Sequence, residues 1–190
     1  MIIGVYLRSS AISPDGSASP FSCPFVYNGA SDASGRKGNF MLEVHGKVSG
    51  IIIVDHGSRK DAANDMLLEV AAMFKRVTGH AIVEPAHMEL AEPSIAAAFE
   101  KCVAQGATFV IVHPYFLSPG RHSTTDIPNL VAAAGEKHPT VEHHVTQPLG
   151  LDEKLAQLMV QRIQECLSNH FLCESCKVRR RCIGVSSVII

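Results

Sequence analysis

Two short segments hold the residue types that most readily do chemistry. The first reads Asp55-His56-Gly57-Ser58-Arg59-Lys60 and the second Pro114-Tyr115-Phe116-Leu117-Ser118-Pro119-Gly120-Arg121-His122. Each sets one histidine beside a glycine and a basic residue. Neutral imidazole is a good ligand for ferrous, cobalt, nickel or zinc ions, and its ordinary pKa near neutrality also suits it to accept protons. Glycine lets the backbone come close to a ligand. A single loop histidine is usually a plain surface residue; two such loops ask for a common purpose. Between them runs Glu84-Pro85-Ala86-His87-Met88-Glu89-Leu90-Ala91-Glu92-Pro93. Glu89 could complete a set of two histidines and one carboxylate, which suits a labile divalent ion better than a closed structural site. His87 and His113 are rivals for that third place, and Glu92 reads more simply as favouring the amino end of a helix.

A second group of candidates is the cysteine-rich end. Cys166, Cys173, Cys176 and Cys182 are four of the six cysteines and follow the spacing C-x6-C-x2-C-x5-C. Three readings compete: an iron–sulfur cluster on four thiolates, a zinc site, which more often shows two close pairs, or a redox pair closing a disulfide. Lys177 and Arg179 to Arg181 would favour thiolates and offset cluster charge. Cys166 also lies beside the apolar stripe of a predicted helix, so it reads equally as a core cysteine. Cys102 reads as core.

The elements that must position these residues follow from periodicity. Ser49 to Asp55 is a β-branched run expected of a strand buried on both faces. Residues 61–78 carry Leu67, Val70, Phe74 and Val77 at helical spacing, and Gly79 stops them. His80 to Pro85 predicts a second strand. Pro93 opens a second helix at its first turn, with Ile95, Phe99 and Cys102 on its apolar side and Gly106 at its end. Ala107 to His113 predicts a third strand, followed by a loop from Pro114 to about Thr125. A third helix is expected over 126–136, a fourth strand over 140–145 and a last helix over 151–168. Alternating strands and helices predict an α/β fold: a flavodoxin-like parallel four-stranded sheet with helices on both faces. Ligands of such sheets bind beyond the carboxyl ends of the strands where strand order reverses. In the flavodoxin-like order that point lies between the first and third strands, where His56 and His122 are.

Composition sets the outer bounds. The chain has 190 residues, 46% of them hydrophobic and 18% charged, enough for one cored domain. Its formal net charge of −1 argues against a nucleic-acid-binding domain, and no apolar run is long enough to span a bilayer. Residues 1–46 hold eight serines and few acids, which fits either a disordered extension or an organelle transit peptide. The division expected is an extension over 1–46, a domain over 47–169 and a cysteine-rich tail over 170–190. A phosphate-binding flavodoxin-like protein is disfavoured because no glycine-rich phosphate loop is present.

DHGSR after the first strand, EPAHMELAEPSI after the second and HPYFLSPGRHSTTDIP after the third together resemble the small class II chelatases. This is the family of sirohydrochlorin ferrochelatases and the related cobaltochelatases. The resemblance covers about residues 50–168. It implies that His56 and His122 bind the metal and accept protons, with Glu89 assisting, and that ferrous iron enters sirohydrochlorin. Cobalt or nickel insertion, or a metal or tetrapyrrole carrier, are the alternatives. Arg59, Lys60 and Arg121 could pair with the carboxylates of such a substrate, and Ser58, Ser123 and Thr124 could supply hydrogen bonds. The one-unit length resembles members that work as homodimers. The tail resembles that of the plant ferrochelatases, which implies a 2Fe-2S cluster on Cys166, Cys173, Cys176 and Cys182 and a chloroplast address in the stroma.

Overall fold

The structure is a computed structural model, and it describes Val44 and residues 46–168. Cys173, Cys176, Cys182 and nearly all of the 1–46 segment lie outside the described residues. No helix among the described residues is long and apolar enough to cross a membrane.

Four strands alternate with helices: β1 Ser49–Asp55, α1 Asp61–Thr78, β2 Ile82–His87, α2 Ile95–Ala104, β3 Phe109–Pro114, α3 Ile127–Glu136, β4 Glu142–Val145 and α4 Glu153–Ser168. The sheet is parallel throughout with the order β2-β1-β3-β4. β1 and β3 are therefore neighbours, and chain order reverses between them. This is the switch point that the alternation of elements predicts.

β1 matches the predicted span because its sequence leaves one option. Ile51 to Val54 are all buried, two facing each side of the sheet. Burial of such side chains stabilises the fold by roughly 1.5–3 kcal/mol each. α1 also keeps its predicted bounds. Asp61 sits in its first turn and Lys75 and Arg76 in its last, each sign opposing the helix dipole. Gly79 then takes φ 72° and donates its N–H to the Lys75 carbonyl at 2.9 Å.

β3, β4, α3 and α4 shift by one or two residues from expectation, and three other differences bear on the site. β2 begins at Ile82 and runs through Pro85 to His87. A proline is tolerated there because β2 is an edge strand and needs no N–H on its outer side. α2 begins at Ile95 instead of Pro93: Ser94 is its cap, and its Oγ accepts from the Ala97 N–H at 3.5 Å. Glu92 accepts from the Ser94 N–H at 2.6 Å and so serves the start of this helix. The loop after β3, expected from Pro114 to about Thr125, does not run free to the next helix. It ends in a π-helical turn, His122–Asp126, that leads directly into α3.

α1 packs on β1 and β2, with Leu67 and Ala71 against Ile51, Ile53 and Val83. α2 and α3 cover the other face. Phe99 is fully buried there, and Cys102 is buried beside it. Burial, with Glu84 nearby, pushes the Cys102 thiol up to about 12. It is a core residue, as its helical position suggests. α4 is different: none of its residues is buried. Cys166 is half-buried and not a core cysteine.

Candidate metal centre

His56 follows the last residue of β1, and its loop is tied down from below. Asp55 Oδ1 accepts the Gly57 N–H at 2.9 Å and His87 Nδ1–H at 2.6 Å. Gly57 has φ 81°, and a Cβ there would lie 2.0 Å from the Glu89 carbonyl oxygen. Only glycine allows this closeness. The loop after β2 is stitched to it by backbone bonds, Met88 N–H to Asp55 O at 2.8 Å and Glu89 N–H to His56 O at 3.2 Å. Leu90 then turns the chain away with φ 67°. Together these fix Glu89 beside His56, with Glu89 Oε1 2.8 Å from His56 Nε2.

His122 enters the same place from the other side. The π-helical turn carries it beyond the end of β3. Its turn is held by Ser123, whose Oγ accepts the Gly120 N–H at 3.0 Å, and by the Thr124 N–H bond to Gly120 O at 2.9 Å. The His56 and His122 rings lie edge to face, with centroids 5.1 Å apart and planes at 74°. The histidines of the first and third motifs thus meet above the ends of β1 and β3. Their side chains are 38% and 48% exposed, so the pair opens to solvent.

The hydrogen bonds set which ring nitrogen faces the opening. Asp126 Oδ2 lies 2.9 Å from His122 Nδ1. A carboxylate only accepts, so Nδ1 carries the hydrogen and Nε2 keeps a lone pair. Carboxylate partners of this kind orient metal-binding histidines and raise their basicity. On His56, the Gly57 carbonyl lies 3.2 Å from Nδ1. Glu89 Oε1, 2.8 Å from Nε2, is likewise an acceptor, so without an ion Nε2–H donates to Glu89, and an ion between them would take the place of that hydrogen while Nδ1–H donates to Gly57. One ion could then take His56 Nε2, His122 Nε2 and a Glu89 oxygen. Among the described residues no three such side chains already form a closed cage.

The two rival residues lie elsewhere. His87 is 1% exposed and locked to Asp55, so it supports the loop from within. His113 bonds through Nδ1 to Thr146 Oγ1 at 2.7 Å. Arg59, Lys60 and Arg121 are all exposed at the rim. Ser123 is buried and spent on its own turn, so it is not available to a ligand. Sequence reasoning missed Asp126 and the Asp55–His87 pair. A signal for the first exists in the four-residue spacing from His122; nothing local marks the second.

The CbiX family matches residues 50–166. Sirohydrochlorin ferrochelatase, chloroplastic, from Arabidopsis thaliana is 55% identical over 124 residues, covering 65% of this chain and 55% of that protein. A sirohydrochlorin cobaltochelatase from Methanocaldococcus jannaschii is 38% identical over 139 residues, covering 60% of this chain and 97% of that protein. Among solved structures, SirB from Bacillus subtilis with Fe3+ superimposes with a TM-score of 0.58 at 31% identity, covering 62% of this chain and 46% of that one. The chain spans about half the length of the ferrochelatases it matches. The match runs through both histidine loops and the whole four-stranded sheet, and the chain belongs to the CbiX family.

Proposed function

We propose that this chain is a sirohydrochlorin ferrochelatase. It inserts ferrous iron into sirohydrochlorin, and the two pyrrole N–H protons leave as the four ring nitrogens take the ion. The facing of His56 and His122 across one open cleft carries this reading. His56 Nε2 and His122 Nε2 hold the arriving ion, and Glu89 is its third ligand. The coordination sphere is left incomplete, so the ring nitrogens can displace the protein ligands one at a time. The imidazoles and Glu89 then stand free as the acceptors nearest the departing protons. Asp126 keeps the His122 lone pair aimed at the ion throughout. Arg59, Lys60 and Arg121 meet the substrate's carboxylates at the rim.

The metal could instead be cobalt, since the matched relatives include cobaltochelatases as well as ferrochelatases. Anaerobic insertion assays with ferrous, cobalt and nickel ions, followed by the change in tetrapyrrole absorption, rank the three. His56→Ala and His122→Ala each abolish measurable insertion if the site is right. Wild-type rates in both variants would refute it and favour a carrier.

Three further properties belong to the same reading. The active form is a homodimer; the matched segment covers only 44% of each of two bacterial ferrochelatases, and a second copy would supply a second such unit. Residues 1–46 address the chain to the chloroplast stroma, in keeping with the chloroplastic relative. Cys166, Cys173, Cys176 and Cys182 hold a 2Fe-2S cluster. Four thiolates are the donor set that cluster takes, and Cys166, half-buried near the end of α4, is accessible to it. A cluster there would supply a redox-sensitive group outside the chelation step. Protein purified without oxygen that is colourless and carries stoichiometric zinc would overturn the cluster.

A further inference from the structure

We propose that Leu90 is a substrate contact: its side chain supports the apolar face of the tetrapyrrole beside Glu89 and sets the ring over the metal centre. This rests on the ferrochelatase reading and adds a residue that positions the ring. Among the described residues, Leu90 is the single non-glycine residue with positive φ, at 67°. In that left-handed region Cβ crowds the following carbonyl, and glycine or asparagine would make the same turn with less strain. The fold leaves Leu90 no way to relax. Before it, Met88 N–H and Glu89 N–H bond to Asp55 O and His56 O at 2.8 and 3.2 Å. After it, Pro93 O accepts the His87 N–H at 2.7 Å, and Ser94 caps α2. These anchors involve backbone and the cap, so the turn itself has no need of leucine.

Nor does the core use it. Leu90 is 53% exposed and belongs to neither buried cluster. A bulky apolar side chain is thus held in a strained conformation, half in water, one residue from Glu89. A ligand that arrives there accounts for it, and the chemistry of the site identifies that ligand. An ion among His56, His122 and Glu89 must meet the ring nitrogens, so the ring carbons spread to either side, over the ends of β2 and β3. Those strands flank β1 in the sheet. At about 4.8 Å between neighbouring strands they stand about 10 Å apart, comparable to the breadth of a four-pyrrole macrocycle. On the β3 side Tyr115 and Leu117 are 43% and 67% exposed. The Tyr115 N–H bond to Val54 O at 2.7 Å holds that segment beside the end of β1. Apolar groups therefore flank the histidine pair on both sides, and Arg59, Lys60 and Arg121 stand exposed at the rim. This arrangement suits a macrocycle with apolar faces and peripheral carboxylates. A free ion or a small anion would have no use for Leu90.

The test uses the full chain and its Leu90→Gly, Leu90→Asn and Leu90→Met variants. Glycine and asparagine accept the left-handed backbone, and methionine keeps an apolar side chain. Thermal denaturation, ferrous-binding isotherms, absorption titration with metal-free sirohydrochlorin, and KM and kcat for insertion are measured on each. If Leu90 holds the ring, Leu90→Gly and Leu90→Asn melt at or above the wild-type temperature and bind ferrous ion as the wild type does. Both bind sirohydrochlorin roughly 3–10-fold more weakly, the part of a leucine's burial that its exposure leaves to a ligand. KM for sirohydrochlorin rises in step, and Leu90→Met stays close to wild type.

Unchanged sirohydrochlorin binding in Leu90→Gly and Leu90→Asn overturns the contact and leaves the ferrochelatase reading standing. A lowered melting temperature with ferrous binding lost in parallel does the same, because it makes Leu90 a structural residue of the Glu89 loop. A Leu90→Asn chain of lower mass in solution than the wild type, by ultracentrifugation, assigns the side chain to contact between copies and overturns the proposal too. A wild type that binds no sirohydrochlorin sinks the ferrochelatase reading and this contact with it.

Discussion

His87 Nδ1 lies 2.6 Å from Asp55 Oδ1, and the same oxygen receives the Gly57 N–H. The pair joins the end of β2 to the end of β1, directly under the loop that presents His56. His87 is buried and Asp55 about one-quarter exposed, so the bond is shielded from water on one side. His87→Leu removes the donor and leaves the carboxylate with one partner. The expected cost is about 1–3 kcal/mol of stability. Insertion activity should fall as well, through loss of order in the His56 loop. Urea denaturation and steady-state assays measure the two; unchanged values for both would show that the pair is incidental.

Gly57 makes a narrower prediction. Its φ of 81° and the 2.0 Å approach of the Glu89 carbonyl to a would-be Cβ leave no room for alanine. Gly57→Ala must either push the Glu89 loop away or flatten its own turn. Stability should drop by at least about 1–3 kcal/mol from backbone conformation alone. Glu89 and His56 would no longer sit 2.8 Å apart. The metal-binding isotherm of the folded variant is the measurement, with weakened ferrous binding expected.

Asp126 is expected to matter through His122. Asp126→Ala leaves both imidazoles and Glu89 in place but frees the tautomer and orientation of the His122 ring. Loss of such a carboxylate partner typically costs about 10–100-fold in metal affinity or activity. Asp126→Asn should recover part of the loss, since an amide oxygen still accepts from Nδ1–H. Equal defects in the two variants would argue for a folding role in the π-helical turn instead.

The legible parts of this molecule were those set by local pattern. The run Ile51 to Val54 has no place but a doubly covered strand, and Gly79 closes α1 as its position suggests. From these the switch point followed, and with it the neighbourhood of His56 and His122. What escaped was tertiary. Pro85 reads as a strand end unless β2 is known to be an edge. The π-helical turn at His122 has no period that distinguishes it from the start of α3, so Asp126 passed for a helix residue. Asp55 and His87 are far apart in sequence and meet only through strand pairing. The stripe on α4 was legible as apolar, but its period could not say that the chain's own body would leave it uncovered.

His113 gives the fold a pH dependence whose sign can be worked out. Burial lowers its pKa from the ordinary value near 6.5, because a charged ring loses water in that place. Its Nδ1 meets the Thr146 hydroxyl at 2.7 Å, which a neutral ring satisfies. Above the ordinary value, folded and unfolded chains both hold it neutral and stability is complete. As pH falls below that value, the unfolded chain takes up the proton first. Stability then declines until the folded pKa is passed, after which it levels off. Replacing His113 by glutamine, which keeps a polar partner for Thr146 but does not titrate, should flatten this part of the profile. Thermal denaturation of both proteins between about pH 7.5 and pH 4.5 tests it, a window that spans the ordinary histidine value. An identical acid slope in the two would assign the dependence to another group.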